Sequence, residues 1–256
     1  MAQIIVEPFA IAYGGAAPSL SINSGAGGAN LLSLPPREIW SGDGATNPII
    51  IQIDLGAVTS WDTIALVNCV AAAGATWTIR SGVAGYTETM HVNAGVMLLA
   101  SEEVADATRP ALFYSAASIN ARYVRIDINP AATAISMGCL VLGKSWQPTY
   151  PREQGAGRVP TDTGTRVEMP DGGIAGVPGV LNSGFDWVFA DLDPADLKKL
   201  WGVFRRRRTT EPIILVEETT GAAAEDVHYC TFVNLERFER RDQSKSRWSL
   251  SVRDWR

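Results

Sequence analysis

The stretch Ser183–Val216, SGFDWVFADLDPADLKKLWGVFRRRRTTEPIILV, reads as strand, helix, strand. Phe185, Trp187 and Phe189 alternate with Asp186, Val188 and Ala190, so three aromatics share one face of a strand. Asp193-Pro194 opens a helix, predicted over 193–207. Asp193 is placed to cap free backbone N–H groups, Pro194 suits the first helical position, and Asp196 sits near the positive end of the dipole. Leu197, Leu200, Trp201 and Phe204 recur at i, i+3, i+4 and i+7 and form one apolar stripe, read as core. The helix runs out in Arg205, Arg206, Arg207 and Arg208, cations at the negative end of the dipole. Glu211-Pro212 stops it, and Ile213–Val216 is the next strand.

Downstream, Gly221 to Asp226 reads as a hairpin tip between Ile213–Glu218 and His228–Arg237. Glu239–Ser246 is a polar turn, and Trp248, Leu250 and Val252 alternate on a final strand. Upstream, residues 170–182 (PDGGIAGVPGVLN) read as a glycine-rich loop, and 148–165 as a Pro/Gly/Thr-rich linker or arm. The predicted second domain, 166–256, is an antiparallel sheet, sandwich or split barrel with one packed α-helix.

The remainder, 1–147, is predicted as a separate β-sandwich. A strand over Gln3–Val6 leads into loop. Ile49, Ile51, Ile53 and Leu55 then face one way and Gln52 and Asp54 the other, a half-buried strand ended by Gly56. Thr63–Asn68 and Thr76–Arg80 repeat the pattern. In Arg122–Ile128, Val124, Ile126 and Ile128 point inward while Tyr123, Arg125 and Asp127 point outward. Met137–Leu142 closes the series. Short strands, turn residues and no helix make the class mainly β.

Charge divides at the same place. Residues 1–147 carry 6 Lys+Arg and 10 Asp+Glu, and residues 148–256 carry 16 and 17, so the second part is far more densely charged yet nearly neutral. A net charge of −5 gives no overall attraction to nucleic acid or anionic membrane. Cys69, Cys139 and Cys230 are odd in number, widely spaced and set in apolar runs, which predicts buried free thiols and a reducing site of folding. MAQIIVEPF lacks the basic start and apolar core of a secretory signal.

The segments Trp40-Ser41, Pro48–Gly56 (PIIIQIDLG), Asp62–Val67 (DTIALV), Ala121–Ile126 (ARYVRI) and Gly138–Gly143 (GCLVLG) resemble, in this order, the galactose-binding-like jelly roll of discoidin and coagulation factor 5/8 type C domains. The resemblance covers about residues 30–145. It implies an eight-stranded sandwich with loops that often bind sugars. The C-terminal part resembles the belt domain of distal tail and tail-tip proteins of long-tailed bacteriophages, with their tail-tube fold. Its cues are the final antiparallel sheet, the amphipathic helix after an aromatic strand, the charged hairpin and the ending WSLSVRDW (248–255).

That second resemblance implies a structural virion protein of a tail tip or baseplate, assembled in the bacterial cytoplasm. It would be a homo-oligomer, a hexameric ring, joining tail-tube and tail-hub proteins around a channel for passing DNA. Subunit contacts would fall on Arg205–Arg208 and on the acidic Glu217, Glu218, Glu225 and Asp226; a solvated basic helix end is the plain alternative. The other reading is a carbohydrate-binding protein recognising a host surface polysaccharide. Trp40, Trp61, Tyr86 and Trp146 lie at strand ends or loops, and Tyr86, in Gly85-Tyr86-Thr87, is the best-placed platform; packing is the plain alternative for each. Enzyme chemistry has little footing. His91 is placed in a loop and His228 at a strand start, neither near a Ser or Cys in a nucleophile context. The acidic pairs Glu102-Glu103, Glu217-Glu218 and Glu225-Asp226 are sequence neighbours that point apart on a strand. No cofactor, metal or membrane partner is expected, and the glycine clusters lack the Lys-Ser/Thr of a phosphate loop.

Overall fold

The structure is a computed structural model. It describes residues 3–8, 18–101, 108–150, 157–179, 181–234, 238–242 and 244–255. Strands β1 (Ile4–Pro8), β2 (Ser19–Ile22), β3 (Trp40–Gly42), β4 (Ile49–Cys69), β5 (Thr76–Gly82), β6 (Thr89–Val96), β7 (Arg109–Asn129), β8 (Ile135–Met137) and β9 (Leu140–Trp146) come first. Then follow β10 (Gly157–Asp162), β11 (Thr165–Glu168), β12 (Ile174–Val177), β13 (Leu181–Leu192) and the helix α1 (Pro194–Arg207). The chain ends with β14 (Ile213–Val216), β15 (Val227–Asn234), β16 (Glu239–Arg240) and β17 (Ser246–Asp254). The chain divides into two compact units, Met1–Gln147 with Ile213–Tyr229, and Pro148–Pro212 with Cys230–Arg256. The segment 213–229, read from the sequence as part of the second domain, thus belongs to the first unit. The cause is backbone pairing, since β14 runs antiparallel to β1 with Ile4 opposite Val216 and Val6 opposite Ile214.

The first unit is a β-sandwich jelly roll. Its two longest strands, β4 and β7, serve both sheets. Ile49–Asp54 pairs with Tyr123–Ile128, while Thr63–Leu66 pairs with Ala111–Tyr114. One sheet runs β2-β4-β7-β5-β6 and the other β14-β1-β9-β4-β7. Gly56 therefore bends β4 from one sheet into the other; it does not end a strand, as its position after an alternating run had indicated. Its φ of 78° lies in the left-handed region open to glycine, and its N–H donates to Asp54 Oδ1 at 2.8 Å. The alternation of Ile49, Ile51 and Ile53 against Val124, Ile126 and Ile128 closes the interior, together with Trp40, Trp61, Trp77 and Leu142. Sequence reading left β2, β6 and the first half of β7 out; His91, expected in a loop, lies on β6.

In the second unit β10 pairs with β13, β13 with β17, and β17 with β15. Phe185, Trp187 and Phe189 lie opposite Val252, Leu250 and Trp248, and all six are buried. Helix α1 covers this aromatic face, with Phe204 stacked on Phe232 (4.2 Å between centroids) and on Trp248 (4.6 Å). Two helix expectations are corrected. Trp201 is 45% exposed, and Val203 takes a core place with Leu200 and Phe204. The Asp193 side chain makes no cap bond and instead accepts from Lys245 Nζ at 2.6 Å. Asp196 is buried and accepts the Thr149 N–H at 2.8 Å. The glycine-rich stretch 170–182, expected as loop, supplies the turn and the second strand of the hairpin β11–β12, and 157–162 of the expected linker form β10, paired along β13. Residues 151–156 of that linker, and 235–237 of the strand expected to reach Arg237, lie outside the described residues.

Candidate functional site

The site grows from the bend in β4. Between Asp54 opposite Tyr123 and Thr59 opposite Ala121, residues 55–58 face the single residue Arg122. The surplus forms a bulge, and at it Arg122 meets Asp54. Arg122 donates from Nε to Asp54 Oδ1 at 2.8 Å and from Nη2 to Asp54 Oδ2 at 2.9 Å, a two-pronged pair. These bonds, with the Gly56 N–H, hold the Asp54 carboxyl down at about 2, and the carboxylate in turn raises the Arg122 guanidinium further above its ordinary value. Arg122 also lies over the Tyr123 ring, 4.8 Å from its centroid.

Tyr86 completes the cluster from the β5–β6 loop. Its ring sits 4.9 Å from that of Tyr123 at 57°, so the two half-buried rings form an open angle rather than a flat stack. Desolvation, then the nearby Asp54 charge, raises the Tyr86 phenol. The loop is tied by Glu88, which accepts the Val83 and Ala84 N–H groups at 2.8 Å each; those bonds lower its carboxyl. Beside Tyr123 on the same outward face, Asp127 binds Arg80 and takes Arg125 Nε at 2.6 Å. The result is two angled phenol rings beside fixed hydrogen-bond donors and acceptors. Such a surface can lie against the apolar face of a small ring compound while bonding its hydroxyls.

Of the expected sugar platforms, Tyr86 alone is on this surface. Trp40 and Trp61 are 0% exposed; Trp40 Nε1 donates to Ser24 O at 3.0 Å. Trp146 is also buried, on β9. Asp54, Arg122 and Tyr123 were missed as a group. The outward alternation marked Asp54 and Tyr123, but nothing in a linear reading joins positions 68 apart.

The basic helix end is split. Arg205, Arg206 and Arg208 are exposed, whereas Arg207 is 2% exposed and donates from Nη1 to Glu211 Oε2 at 3.4 Å. The acids proposed with it belong to the first unit. There Glu217 Oε1 lies 3.2 Å from His228 Nε2, Glu225 accepts from Ser101, and Asp226 Oδ2 accepts the Ala223 N–H at 2.9 Å. Glu218 Oε1 accepts the Thr220 N–H at 3.1 Å. Glu102 and Glu103 lie outside the described residues.

His91 has a serine partner that sequence distance concealed: Ser81 Oγ lies 2.7 Å from its Nε2. Ser81 is buried, burial lowers the imidazole, and its ring meets Trp61 and Phe113 edge-on or tilted. The three cysteines are buried free thiols, raised by desolvation, Cys139 to about 11. Among the described residues no cluster of three or more His, Cys, Asp or Glu is arranged for a metal, and no helix is long and apolar enough to cross a membrane.

No family model matches the sequence, and no curated protein matches it. Solved structures similar to this chain include CpGH89CBM32-6 produced by Clostridium perfringens (16% identity, 54% of this chain and 99% of that one, TM-score 0.43). Another is the family 32 CBM from C. perfringens NanJ in complex with galactose (16%, 54% and 98%, 0.41). A third is a histidine mutant of the lectin binding domain of Lectinolysin complexed with Lewis b (16%, 55% and 97%, 0.41). Strand register within the chain, rather than these similarities, establishes the fold described above.

Proposed function

We propose that this chain is a carbohydrate-binding protein and that the face around Tyr86, Tyr123, Asp54 and Arg122 takes the sugar. The observation that carries the reading is the angled pair of half-buried phenol rings set against a carboxylate–guanidinium pair. A pyranose has apolar C–H faces that stack on aromatics and hydroxyls that both donate and accept, so rings beside fixed polar groups complement it. Among the described residues neither phenol hydroxyl bonds another group, which leaves both available. The role is binding without turnover. Ser81 is buried, and no described carboxylate orients His91.

Glycan-array and calorimetric binding by the native chain and by Tyr86→Ala test the proposal. Loss of an aromatic anchor should weaken binding about tenfold or more. Unchanged affinity in Tyr86→Ala, or turnover of a bound polysaccharide, overturns it.

A second reading draws on the second unit. Its antiparallel sheet bearing one helix carries a hairpin, β11–β12, with Val167 61% and Val177 68% exposed on the same face. Apolar residues uncovered on a two-stranded ribbon favour an assembly role, as in the ring of a phage tail tip. In that reading the chain is a virion component and the sugar-binding unit decorates its exterior. Electron microscopy of assembled particles with this chain located decides it; a chain found outside any particle, monomeric at high concentration, ends it.

A further inference from the structure

We infer that the Tyr86 face selects uncharged sugars bearing two adjacent hydroxyls and rejects acidic ones, uronates and sialates included. This rests on the carbohydrate-binding reading and adds a class of ligand to it. The charged groups on this outward face and its loop are balanced. Arg122 is matched by Asp54, Arg80 and Arg125 share Asp127, and Glu88 anchors the loop that carries Tyr86. Three guanidinium groups therefore stand with three carboxylates.

Their placement matters more than their sum. Arg122 spends Nε and Nη2 on Asp54, so only its remaining N–H groups are open to a ligand among the described residues. An oxygen that takes the second Nη2 hydrogen lies close to the Asp54 carboxylate, which holds the first. A hydroxyl pair suits that geometry, with one oxygen accepting from Arg122 and its neighbour donating to Asp54. A ligand carboxylate does not, because it meets a fixed negative charge with no proton to give. The Arg122 charge that would attract it is already compensated, and the arginines on the other side of Tyr123 are held by Asp127.

The test is calorimetric titration of the native chain with matched methyl glycosides. Methyl glucoside, galactoside and mannoside are each compared with the counterpart oxidised to a carboxylate at C6. The neutral member of at least one pair should bind about tenfold or more tightly than its acid, with little change between low and high salt. Asp54→Asn, which leaves Arg122 uncompensated, should narrow or invert the preference. Equal or tighter binding of the acids to the native chain overturns the inference while leaving carbohydrate binding intact. Binding of neither class overturns both. The native comparison stands alone if the variant fails to fold.

Discussion

The bonds to Asp54 hold its carboxyl below the ordinary carboxylate range in the folded chain. The Arg122 bonds come first among the causes and the Gly56 N–H second. A folded value depressed to about 2 from 3.8 means that the unfolded chain binds the proton more readily. The contribution of Asp54 to stability is therefore present above about pH 4 and fades as pH falls through that window toward 2. Thermal denaturation between pH 2 and 5 should show the native chain losing its margin over Asp54→Asn as acid is added. A constant difference between the two across that range would mean that the pair does not stabilise the fold. The neighbouring Gly56 makes a separate case. Nothing lies within 4 Å of a Cβ built on it, so crowding is absent and only its left-handed backbone opposes a side chain. Gly56→Ala should cost about 1–2 kcal/mol from that conformation, measurable by denaturant unfolding.

The helix shows how packing ranks residues that look alike in a periodic stripe. Leu200 is buried on the inner face of α1, whereas Trp201 reaches solvent with one side against Trp248 (5.8 Å) and Phe238 (6.3 Å). Leu200→Ala should cost about 2–5 kcal/mol of unfolding free energy through its cavity. Trp201→Ala should cost less than Leu200→Ala although it removes more atoms, and the reverse order would place Trp201 in the core. On β11–β12 the exposed valines are expected to matter little to the isolated chain. Val177→Ser should shift stability by no more than about 0.5 kcal/mol. If the hairpin is an assembly arm, the same change should weaken self-association in sedimentation experiments. The outer strand β10 is a poor edge for a neighbour, since Pro160 removes a donor and Arg158 brings charge. This argues for the hairpin face over strand addition.

At the level of the molecule, the first unit is discontinuous in sequence. β1 lies between β9 and β14, so Ile5 pairs with Trp146 on one side and Leu215 on the other. A shortened chain ending at Gln147 would leave β1 with an open apolar edge once Ile213–Val216, all buried, is gone. Hydrogen exchange at the β1 amides should quicken markedly in that shortened chain relative to the full one, with a raised tendency to aggregate. Unaltered protection would show that β14 is dispensable to the sandwich.

By itself the sequence determined the mainly β class, the single helix and its limits to within a residue, the inward isoleucine ladders and the aromatic face of β13. Each of these is a local period, and a period of two or of about 3.6 is written along the chain. Tertiary structure decided the rest. It carried β4 through Gly56 into a second sheet, returned Ile213–Tyr229 to the first unit, buried Arg207, Trp40 and Trp61, and set Tyr86 beside Tyr123 with Arg122 on Asp54. These outcomes depend on strand register between distant segments, and register is fixed by which faces exclude water together rather than by any residue's neighbours in sequence.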